Sequence, residues 1–140
     1  MGLYDNLTDL ELMVRVMWLE ARGEGPDGMR AVGHVIHNRA GSIGFPATLR
    51  GVLLQTNAFS CLLPTDPEFG TEPDADDPQF AFCEEIAPKI LDGSDPDLTN
   101  GAHFYINYAT ATSGWFLHHI VDDKVNHPLL AQIGRQNFYK

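Results

Sequence analysis

Two glutamates at the junction of two predicted helices are the residues of this chain best suited to chemistry. Glu20 stands at the end of an apolar helical run, and Glu24 follows across a turn that contains Gly23. Ionising a carboxyl group beside apolar surface is costly, so the pKa of such a group rises and it keeps a proton near neutral pH. A protonated carboxyl group facing an opening is suited to general acid catalysis. We therefore predict that Glu20 is the proton donor of an active site.

A purely structural role is the alternative for the same two residues. Glu20 would then pair with Arg22, Arg30 or Arg39, and Glu24 would be solvated. A glycosidase that uses two carboxylates needs the second one at about 5–10 Å, across the scissile bond. The remaining acidic residues lie mainly in the segment 64–78, which offers no convincing second carboxylate. A mechanism that uses one carboxylate is therefore also considered.

Other types of catalytic site receive weaker support from the sequence. His34 and His37 are three residues apart on the second predicted helix and could join Glu20 and Glu24 in a metal site. Neither an HExxH nor a CxxC pattern accompanies them, so we expect no metal and no other cofactor. Ser60 lies outside a GxSxG elbow, which disfavours a serine hydrolase.

Composition limits the class of protein and its partners. The 140 residues, 44% hydrophobic and 20% charged, suit a single globular domain over residues 1–140, which we expect to be a monomer. A formal charge of −10 without Lys/Arg clusters argues against nucleic acid as a partner. Cys61 and Cys83 are too few for a disulfide-held domain, so two reduced core thiols are favoured over one bridge.

The first residues argue against export by a signal peptide. The segment MGLYDNLTDLEL is acidic where a signal peptide would be basic, and the chain contains no apolar run long enough to span a membrane. We therefore expect synthesis in the cytoplasm without membrane insertion.

Local signals predict a mainly helical fold with a small β element. The capping box formed by Thr8 and Glu11 predicts a helix from residue 9, and Pro26 suits the first turn of a second helix. On that second helix, Gly33 would allow close approach of another backbone. The residues expected on the buried faces of these two helices are Leu10, Met13, Val14, Met17, Met29, Val32 and Ile36.

The second half of the chain carries fewer signals. The segment 64–78, rich in Pro, Asp and Glu, predicts a solvated loop, and Asp77 followed by Pro78 predicts a helix that ends at Gly93. Pro88 should kink or shorten this helix. The segment 102–107 suggests a strand, and the expected aromatic anchors that follow are Trp115, Phe116, Phe138 and Tyr139. Tyr105 and Trp115, which have polar tips, are the aromatic residues best suited to line a groove for sugars.

A series of short motifs then points to one family. Residues 20–24 match the pattern E-A-R-G-E, and residues 55–60, Gln-Thr-Asn-Ala-Phe-Ser, are similar to Q-P-x-x-F-S. Further matches follow in the same order over residues 9–140, among them Asn38-Arg39, Phe45-Pro46, Leu49-Arg50-Gly51-Val52, Thr99-Asn100-Gly101-Ala102, Phe104-Tyr105-Ile106-Asn107, Ile133-Gly134 and Phe138-Tyr139. In the order and spacing of these motifs the chain resembles the SleB/CwlJ cell-wall hydrolases, which comprise spore-cortex-lytic enzymes and phage relatives.

The resemblance implies a lysozyme-like domain that acts on peptidoglycan glycan strands. Its relatives include lytic transglycosylases, which cleave between N-acetylmuramic acid and N-acetylglucosamine and leave a 1,6-anhydro end. The first glutamate of the motif, Glu20 here, is the family's acid, and Glu24 is the expected supporting residue at the cleft rim. The substrate contacts that we expect are Gln55, Phe59, Ser60, Tyr105, Asn107 and Trp115.

The chain departs from the family pattern at two positions. Tyr108 replaces the usual proline and Gln136 replaces a common histidine. We also expect neither the signal peptide nor the separate wall-binding domain that are frequent in the spore enzymes, which suggests a phage endolysin released by a holin. A hydrolytic muramidase of the same fold and a non-catalytic wall-binding or virion module are the alternative functions.

Overall fold

The structure, a computed structural model, describes residues 2–56, 58–107 and 114–140. Over these residues the protein is mainly helical with one small antiparallel sheet, as predicted. None of the described helices has both the length and the apolarity that crossing a bilayer requires. In chain order the elements are α1 (Asp9–Ala21), α2 (Gly25–Arg39), α3 (Leu49–Leu53), a 3₁₀ turn (Ser60–Leu62), α4 (Pro78–Leu91), β1 (Phe104–Asn107), α5 (Gly114–Phe116) continuing into a π-helical turn (Leu117–Val121), β2 (Leu129–Ile133) and β3 (Gln136–Tyr139).

Helix α1 begins where the capping box predicts. The Thr8 side chain accepts a hydrogen bond from the Glu11 backbone N–H at 3.1 Å, and the Glu11 carboxylate accepts one from the Thr8 backbone N–H at 2.8 Å. Met13 and Met17 are fully buried, as expected, but Leu10 is 37% exposed. The prediction for Leu10 is wrong because this residue lies in the first turn, where the helix still follows the surface.

Helix α2 packs against α1 and α4 through its glycine. A Cβ atom at Gly33 would lie 2.9 Å from Cε of Met17 in α1 and 2.7 Å from Cδ1 of Ile90 in α4. The three helices therefore meet at this position. The close neighbours are side chains rather than the backbone that we expected. Pro26 occupies the first turn of α2, as predicted.

Helix α4 begins and ends as its flanking residues predict. The Asp77 carboxylate accepts hydrogen bonds from the backbone N–H groups of Gln79 and Phe80, at 2.8 and 3.1 Å. The helix continues past Pro88 to Leu91, so the proline does not shorten it.

The sheet packs on α2 and supports the second half of the chain. Its strand order is β1-β3-β2, with both pairs antiparallel. The β2–β3 hairpin was not predicted, because its apolar residues alternate too weakly to identify it. Phe138 in β3 is fully buried against Ala31 and Val35 of α2, which confirms it as an anchor. Tyr139 is also buried, whereas Trp115 is 61% exposed and does not anchor the fold.

Both cysteines lie in the hydrophobic core as free thiols. Cys61 and Cys83 are buried and unbridged, as the sequence favoured. Burial raises the pKa of the Cys83 thiol to about 12, and it also raises that of Cys61. Neither group is therefore an activated nucleophile at neutral pH.

The packing at Gly33 leads to a prediction about stability. Gly33→Val should lower the free energy of unfolding by about 1–3 kcal/mol, because the added methyl groups displace the ends of Met17 and Ile90. Urea unfolding followed by circular dichroism would measure the change. Gly23→Ala is the control, since a Cβ atom there meets nothing within 4 Å. Equal stability of the two variants would contradict this account of the packing.

Candidate active site

A cavity of about 430 Å³, here called the Glu20 cavity, opens beside the last turn of α1. Glu20 lines it, one residue before the end of the helix. Aromatic side chains from the α2–α3 connection, β1 and α5 form much of the wall: Phe45, Phe104, Tyr105, Trp115 and Phe116. The cavity therefore combines one carboxyl group with several aromatic surfaces, which is the composition of many sugar sites.

The rest of the wall is mostly polar and comes from two short segments. These residues are Arg39 at the end of α2, and Gln55, Thr56, Ala58 and Ser60 before and within the 3₁₀ turn. Four of the expected substrate contacts therefore lie around Glu20, namely Gln55, Ser60, Tyr105 and Trp115.

The Glu20 carboxyl group is half-buried and hydrogen-bonded to the sheet. The Tyr105 hydroxyl donates to its Oε1 at 3.0 Å. Burial is the main cause that raises the pKa of Glu20 above its ordinary value, and the nearby Asp66 carboxylate raises it further. The Tyr105 hydrogen bond and the positive charge of Arg39 act in the opposite direction. Because burial dominates, Glu20 keeps its proton to higher pH than an exposed glutamate.

The three arginines considered as partners of Glu20 have other contacts. Arg22 pairs with Glu68 and Arg30 with Asp95, while Nε of Arg39 donates to the His103 carbonyl at 2.7 Å. Among the described residues no ion pair joins Glu20 to a lysine or arginine. The alternative interpretation of Glu20 as an ion-pair residue is therefore wrong.

Glu24 has a different environment from the one expected. Its carboxylate pairs with Arg135 in the β2–β3 turn, at 3.0 Å from Nη2 and 3.3 Å from Nε. The Glu24 side chain is only 12% exposed, so it is not solvated. It does not line the Glu20 cavity, because the turn after α1 directs it toward the hairpin. Of the two glutamates, Glu20 alone lines this cavity.

Two of the expected substrate contacts also lie away from the cavity wall. Phe59 is 3% exposed, and its ring centroid lies 5.6 Å from Cζ of Arg39, so it belongs to the core beneath the cavity. Asn107 lies opposite Gln136 in the β1–β3 ladder. Neither residue lines the Glu20 cavity. Gln136, which replaces a common family histidine, is buried in the sheet, and Tyr108 and Asn57 lie outside the described residues.

Neither His34 nor His37, the histidines considered as metal ligands, lines the Glu20 cavity. His34 is 3% exposed and its Nε2 lies 2.7 Å from Oδ2 of Asp95, so it fastens the segment before β1 to α2. Within the described ranges, no group of three or more His, Cys, Asp or Glu side chains is placed to hold a metal ion.

Sequence reasoning missed several residues of the cavity. Arg39 was considered only as a partner for Glu20, and Phe45 and Phe104 were quoted only as parts of motifs. All three line the cavity, and both phenylalanine rings contact the Arg39 guanidinium. A second cavity of about 410 Å³ also has Phe45 and Phe104 in its lining. These two rings therefore border both cavities, and only their place in family motifs could have indicated it.

The Tyr105 hydrogen bond gives a testable electrostatic prediction. Tyr105→Phe removes a donor that favours the ionised form of Glu20, so the pKa of Glu20 should rise further. Titration of the ¹³C-labelled glutamate carboxyl groups by NMR would measure it. Tyr4→Phe is the control, because the Tyr4 hydroxyl accepts a hydrogen bond from the Gly70 N–H instead. A fall in the pKa of Glu20 would contradict this assignment of the hydrogen bond.

The chain is similar in sequence to two spore cortex-lytic enzymes. Across 132 residues the chain is 36% identical to the spore cortex-lytic enzyme of Oceanobacillus iheyensis, covering 94% of this chain and 41% of that protein. Across 137 residues it is 34% identical to the spore cortex-lytic enzyme of Halalkalibacterium halodurans, covering 98% of this chain and 36% of that protein. The chain thus spans about two fifths of the length of these relatives.

Two solved structures share the fold. The catalytic domain of Bacillus cereus SleB superposes with a TM-score of 0.70 at 30% identity, over 94% of this chain and 89% of that one. The catalytic domain of the germination-specific lytic transglycosylase SleB from Bacillus anthracis superposes with a TM-score of 0.72 at 28% identity, over 97% of this chain and 98% of that one. These matches confirm the lysozyme-like fold and the resemblance to SleB. The family model for Cell Wall Hydrolase matches residues 23–139, and the chain belongs to the cell wall hydrolase family.

Proposed function

We propose that this chain cleaves the glycan strands of peptidoglycan between N-acetylmuramic acid and N-acetylglucosamine, as a lytic transglycosylase. The observation that carries the proposal is the Glu20 carboxyl group, which faces a cavity while burial raises its pKa. A carboxyl group in this state can deliver a proton to a glycosidic oxygen.

Glu20 acts twice in the proposed reaction. Its carboxyl proton moves to the glycosidic oxygen as the bond from that oxygen to the muramyl C1 breaks and an oxocarbenium-like centre develops. The resulting carboxylate then accepts the proton of the muramyl C6 hydroxyl, whose oxygen bonds to C1. The products are a 1,6-anhydromuramyl end and a strand that begins with a free 4-hydroxyl. The Tyr105 hydroxyl can stabilise the carboxylate between the two steps.

The acidic groups around the cavity favour an internal nucleophile. Of the described residues that line the cavity, Glu20 alone carries a carboxyl group. An inverting hydrolase needs a second carboxylate to activate water, whereas attack by the C6 hydroxyl does not. Asp66 is near enough to influence the pKa of Glu20 without lining the cavity. It is the residue that a hydrolytic muramidase mechanism would use, so that mechanism is the second candidate.

The side chains that line the Glu20 cavity support a polymeric sugar as substrate. The exposed ring of Trp115 stacks on His119, with centroids 4.9 Å apart, and lines the cavity. Sugar rings pack on such aromatic faces, and Gln55 and Ser60 supply hydrogen-bonding groups beside Glu20. A second cavity, which shares Phe45 and Phe104 with the first, would take further sugar units of the strand in this proposal.

The relatives are consistent with this substrate. The curated ones are spore cortex-lytic enzymes, and one structural neighbour is a lytic transglycosylase. Their similarity, together with the Glu20 cavity, supports peptidoglycan over other polysaccharides.

The first functional prediction concerns Glu20 itself. Glu20→Gln should reduce the release of soluble fragments from purified sacculi by about 10²–10⁴-fold, because the amide cannot donate the proton. Mass spectrometry of the wild-type products should find 1,6-anhydro ends rather than reducing ends. Glu85→Gln is the matched control, since Glu85 is exposed on α4 away from the cavity.

Three outcomes would count against parts of the proposal. Full activity of Glu20→Gln would remove Glu20 from the mechanism. Reducing ends from the wild-type protein would identify a hydrolytic muramidase. Binding to sacculi without any soluble product would identify a non-catalytic wall-binding module.

Substitution of Asp66 separates the two catalytic mechanisms. Asp66→Asn should leave most of the activity and move the alkaline limb of the pH–rate profile to lower pH. The sign follows because the Asp66 charge raises the pKa of Glu20, so without it Glu20 loses its proton at lower pH. The measurement is initial fragment release from sacculi across pH. Near-complete loss of activity at every pH would instead favour hydrolysis with Asp66 as the base.

A further inference from the structure

Arg39 differs from every other arginine of the chain. The other five, Arg15, Arg22, Arg30, Arg50 and Arg135, each pair with a carboxylate. Among the described residues, Arg39 forms no ion pair, although it is the one arginine that is buried, at 8% exposed. A buried charge without a direct ion-pair partner is costly to keep in a folded protein, and the Glu20 carboxyl group offsets part of this cost only when it is ionised. A ligand that supplies an acceptor would offset this cost.

The surroundings of Arg39 fix its guanidinium group in one orientation. The ring centroids of Phe45, Phe104 and Phe59 lie 5.2, 5.5 and 5.6 Å from its Cζ. Its Nε donates to the His103 carbonyl at 2.7 Å. Contacts on several sides leave the side chain little freedom, so the group is organised before any ligand arrives.

The terminal nitrogens of Arg39 donate to no acceptor on the described residues, and the residue lines the Glu20 cavity. Of the acceptors on the described residues, the His103 carbonyl alone receives a hydrogen bond from Arg39, and it uses Nε. Arg39 lines the cavity together with Glu20, whose proton is needed for the proposed reaction. The guanidinium group has five N–H donors and no acceptor, so its partner must supply acceptor oxygens.

We infer that Arg39 is a substrate-binding residue whose terminal nitrogens hold an acyl oxygen of a sugar substituent in the Glu20 cavity. This inference rests on the proposed function, because amino-sugar strands carry such oxygens beside the scissile bond. Two substituents can supply the oxygen, the acetamido group at C2 and the lactyl group at C3 of the muramyl residue. A planar guanidinium group matches either one, as a carbonyl or a carboxylate, better than a lysine ammonium does.

The test measures binding rather than cleavage. Titration calorimetry would compare Glu20→Gln with the double variant Glu20→Gln/Arg39→Lys, since the Glu20 substitution prevents consumption of the ligand. The probes are a peptide-free murein tetrasaccharide, chitotetraose and N-deacetylated chitotetraose. They carry acetamido and lactyl groups, acetamido groups alone, and neither group. Glu20→Gln/Arg15→Lys is the matched control, because Arg15 pairs with Glu72 outside the cavity.

Arg39→Lys should weaken binding of an acylated probe about tenfold, the loss expected for one charge-assisted hydrogen bond. Weakening with the murein probe alone assigns the oxygen to the lactyl group. Weakening with both acylated probes, but not with the deacetylated one, assigns it to the acetamido group. Unchanged affinity for both acylated probes, or no binding of either by Glu20→Gln, would overturn the inference.

A second measurement leaves Arg39 in place, in case the variant does not fold. In protein labelled with ¹⁵N-arginine, saturation with the bound probe should shift the Nη signals of Arg39 and leave those of Arg15 in place. Unshifted Arg39 signals would overturn the inference. Binding that depends on Arg39 in a protein that cleaves no sacculi would refute the proposed function alone. Cleavage with binding independent of Arg39 would refute the inference alone.

Discussion

The hydrogen bond between Tyr105 and Glu20 joins the two halves of this protein at its candidate active site. Glu20 belongs to the helical half, in which α1, α2 and α4 pack together, and Tyr105 belongs to the sheet. The bond spans 85 positions of sequence, so it forms only when the sheet is seated on α2. The burial that raises the pKa of Glu20 depends on the same packing, because Tyr105 and Phe104 close the cavity over α1.

The parts of the structure that the sequence predicts are those set by local chemistry. The capping box at Thr8, Pro26 in the first turn of α2 and the Asp77 cap of α4 each act within one helical turn, and each lies where expected. The environment of Glu20 can also be predicted from the local pattern, since a carboxyl group at the end of an apolar helix is largely removed from water. The short motifs of the family also predict the cavity residues Gln55, Ser60 and Tyr105.

The features that sequence reasoning missed depend on contacts between distant segments. Glu24 pairs with Arg135, 111 positions away, and nothing near Glu24 identifies that partner. Phe59 resembles a groove residue in its motif, but the tertiary packing puts it beneath Arg39. The β2–β3 hairpin buries Phe138 against α2, which its own alternation of residues does not reveal. Pairing over such distances is a property of the whole fold rather than of any segment.

The order of the strands has a consequence for when the candidate active site first forms. β3 comes after β1 and β2 along the chain, yet it lies between them in the sheet. During synthesis on the ribosome, β1 therefore has no partner until residues 136–139 have emerged from the exit tunnel. Until then Tyr105 lacks its supporting strand and Glu20 lacks its hydroxyl donor. A nascent chain without β3 would thus lack the surroundings of Glu20 on which the proposed reaction depends, whatever fraction of its helices had already folded.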